Sequence, residues 1–463
     1  AACRAKEGAL MASDQFGNDI SGADGADVQA VNAFVGGLLA YHVRAADVLA
    51  RAADPHSAAL VQIYAGYLQL LGEHVAAADA ARPFLDRARK HDALTAREDA
   101  LLKILDDWIE ADIDAVIAGL TEILEQHPRD LLALKLLHYH LFNRGAFPEM
   151  LRAAERVAEA APEAPYVHGM RAFALEQLHL LGEAEQAAWH ALEIIPDDPW
   201  AQHALAHVWL TEGRIEEGAA ALEHWASGWT ELNSFMVTHL WWHLALFRLS
   251  QGREREAVKI YDEQVWAHDK SYSQDQVGAI SLLARLDLAG VDIGDRWDDI
   301  ADHIAGRDSD TLQPFLTVQY LYGLARAGRP QADTLLTAID RAAADSRNQD
   351  HEIWDTAARP LAHGLVAHAR GEFEQAALSI SRALPHLIGL GGSHAQRDLF
   401  DLILLDAQIR SGRWLEAQQA LELRRQHDPD GVPLNRALGD IYEKLELPDQ
   451  AVEARARVAR RLA

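Results

Sequence analysis

Cysteine is almost absent: Cys3 is the single one in 463 residues. No internal disulfide can form, and no thiolate cage is available for a metal. No run of about 18 uncharged apolar residues occurs, so no membrane-spanning helix is expected. The opening residues lack a basic-then-apolar signal pattern, and the expected location is cytoplasmic. Positive charge is scarce, with 43 Lys plus Arg against 70 Asp plus Glu and a net charge of −27. A surface that acidic repels phosphate backbones and anionic lipid, so neither nucleic acid nor membrane is an expected partner. Strand signals are missing as well, because no alternating β-branched runs end in Asn-Gly or Asp-Gly. The zinc-protease His-Glu-x-x-His, the phosphate-binding glycine loop and the Gly-x-Ser-x-Gly elbow are all absent. The glycine-rich "IGLGGSH" at 388–394 lacks the lysine and the preceding strand of a phosphate loop, and reads as a helix N-cap at Ser393.

What remains is Ala, Leu, Glu, Arg and Gln at helical spacing, broken by Gly and Pro. Gly145, Gly182, Gly213 and Gly252 follow helical stretches at intervals of 37, 31 and 39 residues, and Gly328, Gly371 and Gly412 at 43 and 41. Glycine there fits the left-handed position that ends a helix. Helix, tight turn and helix at a period near 34 is the tetratricopeptide pattern. The expected fold is all-α: a right-handed superhelix of about eight to ten helical hairpins, with degenerate pairs at 28–72, 98–127 and 273–304. Residues 1–25 read as an irregular lead-in, and 26–463 as one continuous repeat domain.

The 23 histidines gain meaning from placement. With the turn glycine as ruler, His207 lies six residues before Gly213, His203 ten before it, and Glu176 six before Gly182. His138, His239 and His243 fall near the same angular position. Residues four apart share a helix face, so the pairs His203/His207 and His239/His243 can each reach one ion. Four successive first helices, near 131–144, 166–181, 200–212 and 235–250, would line one groove with these groups. The metal candidates are His203, His207, His239 and His243, with Zn or Fe as the divalent ion; Glu176 and His138 are the acid/base candidates. Tyr166 and Trp242 are candidate ligand contacts. The competing reading is a polar groove for an extended peptide, with the tryptophans in the core.

Several blocks resemble the tetratricopeptide repeat protein 38-like family: "LTAREDALLKI" (94–104), "HPRDLLALKLLHYHLF" (127–142), "WAQHALAHVWLTEGRIEEG" (200–218), "THLWWHLALFRLSQGREREAVKIYDEQVW" (238–266), "GVDIGDRWDDIADHI" (290–304) and "LIGLGGSHAQRDLFDLILLDA" (387–407). The resemblance implies an all-helical superhelix. It also implies that the histidines at 138, 203, 207, 239 and 243, Glu176, and Gln396, Arg397 and Asp398 belong to the family pattern. These last three join the ligand-binding candidates, beside a reading in which Arg397 and Asp398 pair with each other. Where the family shows Asn-Asp followed by His, this chain has Leu316, Thr317 and Gln319. The family supplies no reaction.

Three functions are therefore expected in competition. One is a repeat protein binding a peptide, protein or small molecule in a histidine-lined groove. Another is a metal-dependent enzyme, hydrolytic or oxygen-using. The third is a structural homo-oligomer, a homodimer through a surface such as "LSISRALPHLIGL".

Overall fold

The structure, a computed structural model, describes residues 11–463. The expected irregular lead-in contains a short hairpin, in which Met11–Ser13 pairs antiparallel with Asp19–Ser21. Asp14 closes its turn, accepting from the backbone N–H of Phe16 and Asn18 at 2.9 Å each, and Gly17 adopts a positive φ of 83°. The elements after it are all helices, apart from one isolated bridge between His42 and Leu232. Antiparallel helix pairs follow one another from Ala59–Leu70 with Ala77–Ala88 to Val432–Lys444 with Pro448–Leu462. Each first helix packs on its own partner and on the helices before and after it: Pro199–Glu212 contacts Val167–Gln177, Leu181–Ile194, Ile215–Trp225 and Ser234–Ser250. This is the stacking of an α-solenoid, in which no hairpin buries its apolar face alone.

The glycine spacing undercounts these pairs, for a reason visible in the backbone. Gly145, Gly213, Gly252, Gly328, Gly371 and Gly412 do take positive φ, but Glu73, Ala111, His179 and Glu446 fill the equivalent position in other turns. The turn assigned to Gly182 belongs to His179, with φ 57°; Gly182 lies inside the next helix, Leu181–Ile194.

The solenoid folds back on itself. Tyr41 accepts a 2.6 Å bond from Asn233 N–H. Glu73 takes bonds from Ser273, Gln274 and Gln313. Asp112 meets Gln349, and Ser250 donates to Asp428 at 2.6 Å. At Gly145 an added Cβ would lie 2.2 Å from the Ile388 carbonyl oxygen, and at Gly213 1.8 Å from that of His427. These two glycines therefore serve both the left-handed turn and the close approach of the second half. The apolar interior runs on through the chain, with Leu210, Trp241 and Ile260 packed against both of the two large core clusters.

Candidate metal centre and cavity

Folding back converts the concave groove into a cavity of about 470 Å³. The helices Gly25–Ala40, Leu131–Asn143, Val167–Gln177, Pro199–Glu212 and Ser234–Ser250 supply one wall. Tyr272, Gln274, Gln313, Phe315, Ser393 and Gln396 supply the other.

The two i, i+4 pairs meet as the sequence spacing predicts. His203 and His207 on Pro199–Glu212 and His239 and His243 on Ser234–Ser250 offer ring nitrogens that all lie within 4.8 Å of one another. His203 Nε2 is 3.0 Å from His239 Nε2 and 3.0 Å from His207 Nε2. All four rings are buried, yet His203 and His239 reach the cavity wall. Burial pushes the imidazolium forms of His203, His207 and His243 far below the usual range, with neighbouring histidines adding to the effect, and brings His239 down to about 3. The rings are neutral at physiological pH, the state in which imidazole ligates metal.

Glu176 stands behind this cluster. Its Oε2 is 3.5 Å from His207 Nδ1 and accepts from Gln177 Nε2 at 2.6 Å, while its Oε1 contacts His394 Nε2. The carboxylate thus addresses the far nitrogen of His207, the position that orients a metal-bound imidazole, and stands away from the cavity. His394 is a residue that the glycine ruler misses. Ser393 caps the helix His394–Arg410 in a capping box with Gln396, as the N-cap reading expects, and this places His394 on the first turn beside Glu176.

The other candidates divide. His138 lines the cavity, but its Nε2 bonds the Met150 carbonyl at 2.9 Å, outside the four-histidine group; burial lowers its pKa to about 3. Trp242 packs behind the cluster, stacked on His239 at 5.3 Å and edge-on to His243 at 4.8 Å. Gln396 lines the cavity and completes the Ser393 cap. Arg397 donates to the Gly391 and Gly392 carbonyls, and Asp398 takes two bonds from Arg424 at 2.6 and 2.8 Å, so the two residues do not pair with each other. Tyr166 occupies a left-handed N-cap at φ 67° and is not among the residues lining the cavity. Leu316 lines the cavity, while Thr317 and Gln319 bond to backbone carbonyls of their own segment.

Sequence reasoning also passed over Lys135, whose ammonium sits 3.6 Å from the Tyr41 ring centroid and 5.1 Å from that of Trp200. Its signal was available: a lone lysine inside the apolar run "LLALKLLHYHLF". Among the described residues no helix is long and apolar enough to cross a membrane.

No protein-family profile matches the chain. Solved structures give distant likenesses. The APC/C hetero-tetramer Cut9–Hcn1 aligns at 13% identity and TM-score 0.44, over 85% of this chain and 66% of that one. The human IFIT1 dimer with m7Gppp-AAAA aligns at 13% identity and TM-score 0.38, over 86% and 90% of the two chains. Naa15/Naa10 bound to HypK-THB aligns at 12% identity and TM-score 0.25, over 86% of this chain and 63% of that one. Likeness at this level carries nothing about what this chain binds; its helical-repeat architecture rests on its own helix pairs.

Proposed function

We propose that this chain is a metal-dependent ligand-binding repeat protein, with a divalent ion held by His203, His207, His239 and His243 at the wall of a small-molecule cavity. The observation that supports it is a proton inventory. Four neutral imidazoles carry four N–H groups and four lone pairs. His203 Nε2 faces two other Nε2 atoms at 3.0 Å, so one shared N–H is the most that this trio can use. His203 Nδ1 and both nitrogens of His243 are buried without partners. Each unmet buried group costs about 1–3 kcal/mol. A cation resolves the conflict: Nε2 lone pairs turn inward, and His207 Nδ1–H points at Glu176. Tetrahedral Zn–N bonds of about 2.0–2.1 Å require nitrogens roughly 3.3 Å apart; the two contacts of His203 are 3.0 Å, and the four rings offer nitrogens within 4.8 Å of one another.

An all-imidazole set suits Zn, Cu, Ni or Fe. Four imidazoles fill a tetrahedral set, so a ligand or water would need a fifth position, and the side of His203 and His239 is the one that faces the cavity. With such a fifth position a zinc ion would supply Lewis-acid chemistry to a molecule in the cavity. A cavity of about 470 Å³ walled from both halves favours a small molecule over an extended peptide. Three of the six blocks that resemble the tetratricopeptide repeat protein 38-like family, 200–218, 238–266 and 387–407, carry the four cluster histidines and His394. Elemental analysis of purified protein and of His203→Ala tests the reading. Near-stoichiometric metal, lost in the variant, is expected. Failure of the folded parent to retain or take up Zn, Fe, Ni or Cu would end it.

A further inference from the structure

The cavity holds one charge that the metal reading does not use. Lys135 opens into it from the inner helix Leu131–Asn143, with its ammonium against the faces of Tyr41 and Trp200. Among the described residues it forms no ion pair and donates no hydrogen bond to protein; Asp198, whose buried Oδ2 has no partner and whose carboxyl burial raises to about 7, acts on it only beyond ion-pair distance. The two carboxylates lining the same cavity are occupied. Glu73 accepts from Tyr139 at 2.8 Å, Ser273 at 3.0 Å, Gln274 at 2.5 Å and Gln313 at 3.3 Å. Asp269 accepts from Ser271 N–H and Oγ at 2.9 and 2.6 Å. Beside the lysine the wall is aromatic: Tyr41 stacks on Trp200 at 5.1 Å, and Phe173 and Phe235 also line the cavity. The Trp200 ring bridges Lys135 to the histidines, since its centroid is 4.4 Å from that of His203.

We infer that the cavity takes a small carboxylate with an apolar body: Lys135 pairs with the carboxylate, the aromatic wall covers the body, and the far end faces His203 and His239. An unpaired cation half-buried in an aromatic wall lacks most of its water, and a carboxylate supplies what it lacks through a charge-assisted hydrogen bond. Burial also lowers the Lys135 pKa to about 7, so an arriving anion draws a proton onto the amine. The inference rests on the cavity as a ligand site and stands without a bound metal.

Calorimetric titration with phenylacetate and with hexanoate tests it, on zinc-loaded and on EDTA-treated full-length protein, with phenylacetamide as the neutral control. The carboxylates should bind both forms, and the amide more weakly. Lys135→Met should weaken carboxylate binding about 10- to 100-fold, the worth of a hydrogen bond to a charged group, and leave the amide unchanged. Lys135→Arg, which keeps the charge, should retain most of the affinity. Binding to unmutated protein should also be tighter at pH 6 than at pH 9, as protonation of Lys135 supplies the charge. Binding of equal strength in a folded Lys135→Met, or of the amide as strongly as the carboxylates, overturns the inference. So does binding that survives Lys135→Met and vanishes with EDTA, because the carboxylate then sits on the metal and the metal reading stands alone. Lysine-dependent binding to a protein that takes up no metal has the opposite meaning: the anion site holds and the metal centre falls.

Discussion

Replacing His203 by leucine should change sign with metal, and that reversal separates a ligand from a packing residue. His203 is the hub of the cluster, with two nitrogen contacts at 3.0 Å, a buried unpartnered Nδ1 and the Trp200 ring 4.4 Å away. In metal-free protein leucine keeps most of the packing and removes a crowded imidazole. Stability should then hold or rise, by up to about 1–3 kcal/mol, the cost of an unmet buried polar group. With zinc at 100 times its Kd, binding stabilises the parent by about 2.7 kcal/mol, and a variant whose Kd has risen a hundredfold loses most of it. Urea unfolding of parent and variant, each with EDTA and with excess zinc, reads both quantities as shifts in midpoint. An equal loss under both conditions would refute the reasoning, because His203 would then stabilise the fold as an ordinary satisfied core residue.

Glu176→Gln should leave the fold intact and weaken metal binding about 10- to 100-fold by loosening the orientation of His207, which competition with a chromophoric chelator measures. His138 and His140, both held neutral by burial with pKa values near 3, should make the metal-free protein acid-labile. The unfolded chain takes up protons as pH falls through about 6.5 and the folded chain does not. Stability is therefore full above 6.5 and falls toward pH 3 by about 1.4 kcal/mol per unit for each ring; His140→Phe should make a plot of unfolding midpoint against pH shallower. Gly213→Ala should cost more than about 1–2 kcal/mol, since a left-handed backbone is joined to a clash with the His427 carbonyl. Hydrogen exchange should quicken around residues 424–432 in that variant, and unchanged exchange there would remove the packing argument.

The sequence made the helix pairs legible because glycine, proline and apolar spacing are local signals. The i, i+4 histidine pairs were legible for the same reason: helix geometry alone places each pair on one face. The glycine ruler failed at the Val167–Gln177 helix, where His179 adopts the left-handed turn in place of Gly182. Counting six back from His179 reaches Phe173, which does pack against His203 at 5.2 Å and His207 at 5.6 Å. Glu176 is one helical turn further on, so it meets the back of His207 rather than sharing its position. His394 and Glu73 escaped because their partners are 218 and 200 residues away, across a closure that no local pattern encodes. Lys135 was legible as a lone charge on an apolar helix, but its isolation from carboxylates is a property of the assembled walls.

The join between the two halves also sets the shape of the hollow. Ile388 and His427 rest directly on Gly145 and Gly213, and side chains from both halves enclose the hollow. A substitution that loosens either contact therefore reshapes the hollow from a distance, because the walls that meet a guest are held in register by backbone contacts between residues more than 200 positions apart.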